Sequence, residues 1–363
     1  MKTVQEEAAG RSPDARAGKG RRRWLPWVIG LVTVLAVAVI AGGVAVVQND
    51  YDIDEQSVSI PFGPIALDGV LATPPGARAP LGLVIFVHGD GPIDATYDSF
   101  YRPIWESFAR AGYASLSWNK QGIDGSAGNW LDQSMQDRAA EVEAAIAWAS
   151  QRPDIDTKRI GLWGSSQGGW VMPKVARQTP SLCFMIAASP AINWERQGRY
   201  NTVAQMRADG ASQTEIDQAI SKSDRTRKLL DDGASFEQYR AAVNGDVEGM
   251  TANRWTFISK NFRSDATRDL KQSDLRVFLV LADHDLNVDV ADTREVYTRV
   301  LPPEQLEVKT YSGATHGLVK KNIEDSTLRK YATAIFNPRG LFASGYLADM
   351  QAFLERSTQA CDR

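Results

Sequence analysis

Short apolar runs alternate with segments of helical periodicity along much of the chain. Residues 83–87 are apolar throughout, as expected for a parallel strand that is buried on both faces. The pattern then predicts strands at 114–118, 159–163 and 183–188 and helices at 101–111, 136–151 and 168–178. Strands separated by helices form βαβ units, so the alternation predicts an α/β fold with a mostly parallel sheet flanked by helices.

The alternation is framed by a hairpin and interrupted once. Strand-like runs at 57–61 and 65–72, separated by Gly63-Pro64, predict an antiparallel hairpin that opens the domain. Between residues 193 and 271 the sequence is polar and helix-prone, which predicts a helical cap insertion. The sheet resumes with strands at 277–281 and 306–311 around a helix at 290–301, and a helix at 347–356 closes the chain. The insertion contains the aromatic residues Trp255, Phe257 and Phe262. The favoured interpretation is that they pack the insertion onto the sheet, and the alternative is that they line a substrate pocket.

Residues 24–47 carry no charged side chain. A helix of this length rises about 36 Å, which is enough to cross a hydrocarbon core of roughly 30 Å. Arg21, Arg22 and Arg23 precede the stretch and acidic residues follow it, so the positive-inside rule predicts a cell-membrane protein with a single pass. The predicted organisation is a disordered cytoplasmic tail at 1–23, a transmembrane signal anchor at 24–47 and an extracytoplasmic domain at 48–363. The alternative is a cleaved signal peptide, which usually has a shorter apolar region.

Composition restricts the partners of the chain. The 363 residues are 43% hydrophobic and 23% charged, with a net charge of −3, which is typical of a globular protein. The body of the chain has no basic stripe with interleaved aromatics, so we expect no nucleic-acid partner.

The chain has two cysteines, Cys183 and Cys361, which are too few for a disulfide framework or a zinc site. Whether the two pair is left open, with Cys183 in an apolar run and Cys361 near the C-terminus.

A glycine-flanked serine lies between a predicted strand and a predicted helix. Gly164-Ser165-Ser166-Gln167-Gly168 follows the run RIGLW, which is the strand, turn and helix context that gives a G-x-S-x-G motif its meaning. A nucleophile at such a turn adopts a strained backbone conformation, and small residues two positions to either side let strand and helix pass closely. The motif makes Ser166 the candidate nucleophile, although a structural turn has the same residues.

A second loop follows the first buried strand. In Val87-His88-Gly89-Asp90-Gly91-Pro92, a backbone N–H can point to the same place as the N–H of the residue after the nucleophile, forming an oxyanion hole. The candidate donors are Asp90 first and Gly91 second in this loop, with Gln167 on the other side. His88 fits a structural role better than proton transfer.

The general base must be one of three histidines, His88, His284 and His316. His316 is preferred because it lies in a loop directly after the last predicted strand. Asp285 follows the apolar run VFLVLA, where a carboxylate at a strand's carboxyl end can orient a histidine. Asp283 is the competing acid.

The order serine, aspartate, histidine is that of α/β-hydrolases. The segments HGDGP, SFARAGYASLSWNKQG, DTKRIGLWGSSQGGW, LADHDLNV and GATHG resemble bacterial α/β-hydrolases of the serine aminopeptidase and dienelactone hydrolase-like groups, many of which are carboxylesterases. The resemblance covers roughly residues 55–358. It implies an α/β-hydrolase fold with nucleophile Ser166, acid Asp285, base His316 and oxyanion N–H groups from the HGDGP loop and Gln167.

One residue departs from the family pattern. Asp90 stands where such relatives often carry a small residue such as serine, and its carboxylate would oppose a developing oxyanion unless it points away. With this machinery we expect a serine hydrolase that cleaves a small-molecule carboxylic ester and needs no metal or organic cofactor. Thioester or short-peptide cleavage by the same residues is the first alternative. A non-catalytic envelope binding protein on a hydrolase fold is the second.

Overall fold

The computed structural model describes residues 25–78 and 80–361. The described residues divide into two units, one ending at Gln48 and the other starting at Asn49. The predicted cytoplasmic tail, its three arginines and Trp24 lie outside the described residues.

The second unit is built on an eight-stranded sheet in the order β1-β2-β4-β3-β5-β6-β7-β8. β1 and β2 form the predicted antiparallel hairpin, β2 pairs antiparallel with β4, and the other neighbours are parallel. The strands are β1 Asp54–Phe62, β2 Ile65–Thr73, β3 Leu81–Val87, β4 Tyr113–Trp118, β5 Ile155–Ser165, β6 Phe184–Ala188, β7 Arg276–Ala282 and β8 Leu306–Tyr311.

Helices cover both faces of this sheet. Successive side chains of a strand point to opposite faces, so Leu83 and Ile85 pack in one apolar cluster with α3, α4 and α10, and Val84 and Phe86 pack in the other with α2 and α13. The two clusters explain why β3 is apolar at every position, and they confirm the predicted fold class. The helices of the unit are α2 Arg102–Arg110, α3 Met135–Ala149, α4 Gly168–Gln178, α5 Trp194–Ala208, α6 Gln213–Asp231, α7 Phe236–Ala242, α8 Ala252–Asn261, α9 Thr267–Lys271, α10 Val290–Val300, α11 Lys321–Glu324, α12 Thr327–Phe336 and α13 Tyr346–Cys361.

Some element boundaries differ from the predicted ones. β5 and α13 are both longer than predicted, and α11 and α12 were not predicted. α12 carries large apolar side chains on its exposed side, so its apolar face is not turned into the core as in a usual surface helix.

Helices α5 to α9 occupy the region of the predicted insertion. Trp255 stacks on Tyr239 within the insertion, with ring centroids 4.4 Å apart. Phe257 is fully buried and joins the core cluster on the α3 and α4 side of the sheet. Both side chains therefore fasten the insertion, and Phe262 lines a cavity within the insertion.

The first unit is the helix α1, Leu25–Gln48. Its 22 residues Trp27–Gln48 are long and apolar enough to cross a membrane, and large side chains such as Trp27 and Val39 are 81% and 73% exposed. Exposure of apolar side chains on all sides fits a lipid environment better than water. A signal sequence near an N-terminus has the same properties.

Cys183 and Cys361 form a disulfide bond, with Cα atoms 5.7 Å apart. The bond joins the residue before β6 to the last residue of α13, which are 178 positions apart in the sequence. The pairing that the sequence left open is therefore present, and Cys361 is half-buried.

Candidate active site

Ser166 lies in a sharp turn between β5 and α4 and has a φ angle of +51°. This left-handed conformation is unusual for a serine and marks a strained position. The glycines on either side are required by close packing: a Cβ on Gly168 would lie 2.7 Å from the carbonyl oxygen of Val87, and one on Gly164 would lie 2.8 Å from the sulfur of Met172. The turn therefore has the steric character that the motif predicts, with the serine at the carboxyl edge of the sheet.

The backbone of the turn is held by its neighbours. The N–H of Ser166 donates to the carbonyl of Ala188 at 3.2 Å, and the carbonyl of Ser166 accepts from Gly169 and Ala191, both at 2.9 Å. Gln167 is the N-cap residue of α4, and the first N–H groups of a helix have no partner inside the helix. An anion beside Ser166 would thus face a helix N-terminus.

His316 and Asp285 are in direct contact, with 2.8 Å between the Nδ1 of the imidazole and the Oδ2 of the carboxylate. His316 belongs to the loop after β8 and Asp285 to the loop after β7. The other carboxylate oxygen of Asp285 accepts N–H bonds from Asn287 and Val288, both at 2.8 Å. Asp285 is completely buried as a side chain, so its orientation is fixed by these three bonds.

Asp283, the competing acid, has a different partner. Its Oδ1 accepts the N–H of Ala314 at 3.2 Å and lies 4.0 Å from the Nε2 of His284. His284 is about half exposed as a side chain. Asp283 thus supports the loop that leads to His316.

His88 is buried below the loop that follows β3. Its Nε2 is 2.6 Å from the carbonyl oxygen of Trp118, and its Nδ1 is 3.0 Å from the hydroxyl of Tyr101. The ring is therefore the tautomer that donates from Nε2 and accepts at Nδ1. Burial, together with the charge of Lys120, lowers the pKa of His88 to about 3. A neutral histidine with both nitrogens occupied fits the predicted structural role.

Two buried basic side chains bind carbonyl oxygens of the loop that follows β3. Lys120 donates to the carbonyl oxygens of Gly89 at 2.6 Å and Gly91 at 2.9 Å, and Arg138 donates to that of His88 at 2.6 Å. Burial, reinforced by the neighbouring guanidinium, holds the pKa of Lys120 well below its usual range. These bonds fix the direction of peptide groups along the loop.

The carboxylate of Asp90 is held by a side chain of the helical insertion. It makes a two-point ion pair with Arg254 of α8 and accepts from the side-chain amide of Gln167 at 3.2 Å. Burial raises the pKa of Asp90, but the bonds from Arg254 outweigh it, so the net pKa lies below the ordinary value. Asp90 is therefore ionised and paired.

A cavity of about 270 Å³ adjoins Ser166 and His316, and both side chains line it. Gly89 and Asp90 line it as well, whereas Trp255, Phe257 and Phe262 of the insertion do not. The rest of the wall is largely apolar and aromatic and includes Ile93, Phe100, Tyr101, Ile104, Trp163 and Leu318. Within the described residues, no cluster of three or more His, Cys, Asp or Glu side chains is arranged to hold a metal ion.

Sequence reasoning missed three cations of this site: Lys120, Arg138 and Arg254. Lys120 follows β4 and Arg138 lies in α3, whereas Arg254 lies 164 positions after its partner Asp90. No local motif signals such residues, because their role depends on contacts between distant segments.

The structure resembles known hydrolases. The esterase Pf2001 of Pyrococcus furiosus superposes with a TM-score of 0.53 at 18% identity, over 84% of this chain and 91% of that one. Est1E of Butyrivibrio proteoclasticus, determined with ferulic acid bound, superposes with a TM-score of 0.53 at 16% identity, over 84% of this chain and 99% of that one. At these identities the likeness shows the fold, which is that of the α/β-hydrolases.

A family model described as serine aminopeptidase, S33, matches residues 78–322. The chain belongs to this family of serine hydrolases. A probable dipeptidyl-aminopeptidase B of Sordaria macrospora is 26% identical over 172 residues, which are 42% of this chain and 18% of the relative. An uncharacterised 31.7 kDa protein of Escherichia coli, from the traX-finO intergenic region, is 38% identical over 66 residues, 17% of this chain and 22% of the relative. The chain spans about a fifth of the length of these curated relatives.

Proposed function

We propose that the protein hydrolyses carboxylic esters by a Ser166, His316 and Asp285 triad through an acyl-enzyme. The observation that carries this proposal is the 2.8 Å contact between His316 Nδ1 and Asp285 Oδ2, together with the cavity that Ser166 and His316 share. The bond to Asp285 fixes the imidazole with its proton on Nδ1, so that Nε2 is the atom left to accept a proton.

The reaction proceeds in two halves. His316 takes the proton of Ser166 as the serine oxygen attacks the ester carbonyl, and then returns it to the leaving alcohol. Water, activated by the same histidine, releases the acid from the acyl-enzyme. Asp285 stabilises the imidazolium through Oδ2, and its other carboxylate oxygen is held by two backbone N–H groups.

The N–H groups of Asp90 and Gln167 are the proposed oxyanion donors. Lys120 holds the carbonyl of Gly89, and the C=O and N–H of a trans peptide point in opposite directions, so the N–H of Asp90 is directed away from Lys120. The N–H of Gly91 instead helps to lower the pKa of the Asp90 carboxyl group, which makes it the weaker candidate.

The cavity wall favours an ester over a peptide with a free amino terminus. Recognition of an ammonium group requires an available carboxylate or similar acceptor. Among the described residues that line the cavity, Asp90 is the single acid, and Arg254 neutralises it. The apolar wall and the volume of about 270 Å³ suit a short acyl group or a small ring.

We further propose that α1 is retained as a single-pass anchor in the cell membrane, with the second unit, which starts at Asn49 and is called the catalytic unit below, on the extracytoplasmic side. The apolar stretch is longer than that of a usual signal peptide. The Cys183–Cys361 disulfide supports an oxidising compartment.

Labelling of the purified full chain with a fluorophosphonate probe tests the proposal. We expect labelling of wild type and of S221A, which alters an exposed serine of α6, and none of S166A. Hydrolysis of p-nitrophenyl esters of graded length should be fastest for short acyl chains and exceed hydrolysis of aminoacyl p-nitroanilides. Absence of labelling in folded wild type would support the non-catalytic binding protein, and faster anilide hydrolysis would support the peptidase.

A further inference from the structure

Helix α12 presents an apolar stripe to its surroundings. Leu328, Tyr331 and Ile335 are 82%, 64% and 47% exposed, and Phe336 at the end of the helix is 40% exposed. The first three are spaced i, i+3 and i+7, so they lie along one face of the helix. Contiguous exposed apolar side chains in a folded domain mark an interaction surface.

The end of α12 is bound to the first residues of the catalytic unit. The side-chain amide of Asn49 donates to the carbonyl of Ile335 at 2.7 Å. Arg339, three residues after α12, donates to the carbonyl of Asp50 at 3.0 Å and lies over the ring of Tyr51 at 4.7 Å. Three successive residues at the start of the unit are thus fastened to the same corner as α12.

Asn49 directly follows Gln48, the last residue of the apolar helix α1. Consecutive Cα atoms are about 3.8 Å apart, so there is almost no slack between the end of a membrane span and the segment fastened to α12. A 24-residue helix exceeds the roughly 20 residues needed to cross the hydrocarbon core, which places its end among the head groups. The carboxyl end of α12 must then lie near the membrane surface.

We propose that α12 docks on the lipid bilayer, with its apolar stripe at the boundary between head groups and acyl chains. The proposal rests on the retention of α1 proposed above. The composition of α12 fits this position: tyrosine is favoured at membrane interfaces, and Arg329 and Lys330, both exposed, can extend to the head groups. The catalytic unit would be held at the membrane at two points, by the end of α1 and by α12.

The test uses the full chain in phosphatidylcholine proteoliposomes, with a nitroxide label on a single introduced cysteine. The two native cysteines are joined to each other, so the label reacts at the new site. We expect the label in L328C to be relaxed more strongly by oxygen, which concentrates in the bilayer, than by a water-soluble nickel chelate. The control is K228C in the insertion, whose native side chain is 76% exposed; its label should show the opposite preference.

Three outcomes separate the proposals. Failure of the full chain to float with the liposomes overturns both the anchor and the docking of α12. If the full chain floats but the label at residue 328 is as accessible to the nickel chelate as the label at residue 228, the docking of α12 is wrong and the anchor is not affected. Strong dipolar coupling between 328 labels of different molecules assigns the stripe to a second copy of the chain and also overturns it. Should L328C be poorly folded, a label in Y331C gives the same comparison one turn further along.

Discussion

Arg254 and Asp90 form a two-point ion pair between the helical insertion and the loop beside Ser166, with nitrogen–oxygen distances of 2.6 and 3.0 Å. The pair explains how a carboxylate is tolerated in this loop. Arg254 draws the charge of Asp90 towards α8 and neutralises it, while the backbone N–H of Asp90 remains available for the proposed oxyanion hole. The insertion thereby becomes part of the electrostatic environment of the site.

Replacing Arg254 by methionine should lower kcat/KM for a short p-nitrophenyl ester by about tenfold. The unpaired carboxylate of Asp90 would then oppose the oxyanion, and a charge a few ångströms away in a partly solvated site is worth on the order of 1 to 2 kcal/mol. R263M, which removes an exposed arginine from the same insertion, is the matched control and should behave as wild type.

The double variant D90S/R254M tests the cause of that loss. Serine removes the charge that Arg254 neutralises, so most of the activity lost in R254M should return. If R254M and the double variant were equally impaired, Arg254 would act through the fold of the insertion instead of through Asp90.

The two aspartates after β7 should differ sharply in mutant kinetics. D285N should lower kcat by roughly 10³- to 10⁴-fold, because an amide cannot hold the imidazole in the tautomer that accepts the serine proton. D283N keeps a side-chain oxygen for the N–H of Ala314 and should cost less than about tenfold. Steady-state rates of the two variants, at equal folded concentration by circular dichroism, make the comparison; equal losses would contradict the assignment of Asp285.

The glycines of the serine turn give a prediction for stability. An added methyl group at Gly168 would meet the carbonyl oxygen of Val87 at 2.7 Å, a backbone atom that cannot move aside. G168A should therefore lower the free energy of unfolding by about 1 to 3 kcal/mol and displace Ser166. The matched control is G198A in α5, where no heavy atom lies within 4 Å and alanine should stabilise the helix by about 0.5 to 1 kcal/mol. Urea unfolding of wild type, G168A and G198A measures whether the free energy of unfolding falls in the first variant and rises in the second.

The parts of this site that follow from sequence are those with a local cause. A strained turn needs small residues at fixed spacing, so Gly164 and Gly168, lying between a predicted strand and a predicted helix, mark Ser166 as the candidate nucleophile. Parallel strands end at one edge of the sheet, which places Asp285 and His316 near that turn. The central strands can also be predicted, because strands that are buried on both faces are apolar at every position.

The contacts between distant segments could not be predicted in this way. Arg138 looks like an ordinary polar residue of an amphipathic helix, yet it is buried against the carbonyl of His88. The pairing of Cys183 with Cys361 depends on where α13 ends, and the predicted helix stopped before Cys361. The apolar face of α12 is a further case, because sequence periodicity cannot tell which face of a short helix is turned outward.

Because His88 is buried as a neutral imidazole, we expect the protein to lose stability in mild acid. It is neutral in the native protein, with a pKa of about 3, whereas in the unfolded chain it takes up a proton below about pH 6.5. The unfolded state therefore binds more protons as the pH falls, and the contribution of His88 is complete above about pH 6.5 and is lost between about 6.5 and 3. Between pH 7 and pH 5 the loss from this residue should be about 2 kcal/mol. H88Q should be less stable at pH 7 but show a correspondingly flatter decline, measured by urea unfolding at both pH values; parallel declines would contradict this account.

The disulfide should contribute to stability because it joins residues 178 positions apart. A crosslink over so long a loop restricts the unfolded chain, and its removal typically costs about 2 to 5 kcal/mol. Reduction of wild type should therefore lower the unfolding midpoint, C361S should show the lower midpoint without reductant, and adding reductant to C361S should change nothing further. The redox state of this bond in protein isolated from cells also tests the side of the membrane on which the catalytic unit lies. If maleimide applied to the denatured, unreduced protein labelled both cysteines, the unit would have matured in a reducing compartment, and the proposed extracytoplasmic location would be wrong.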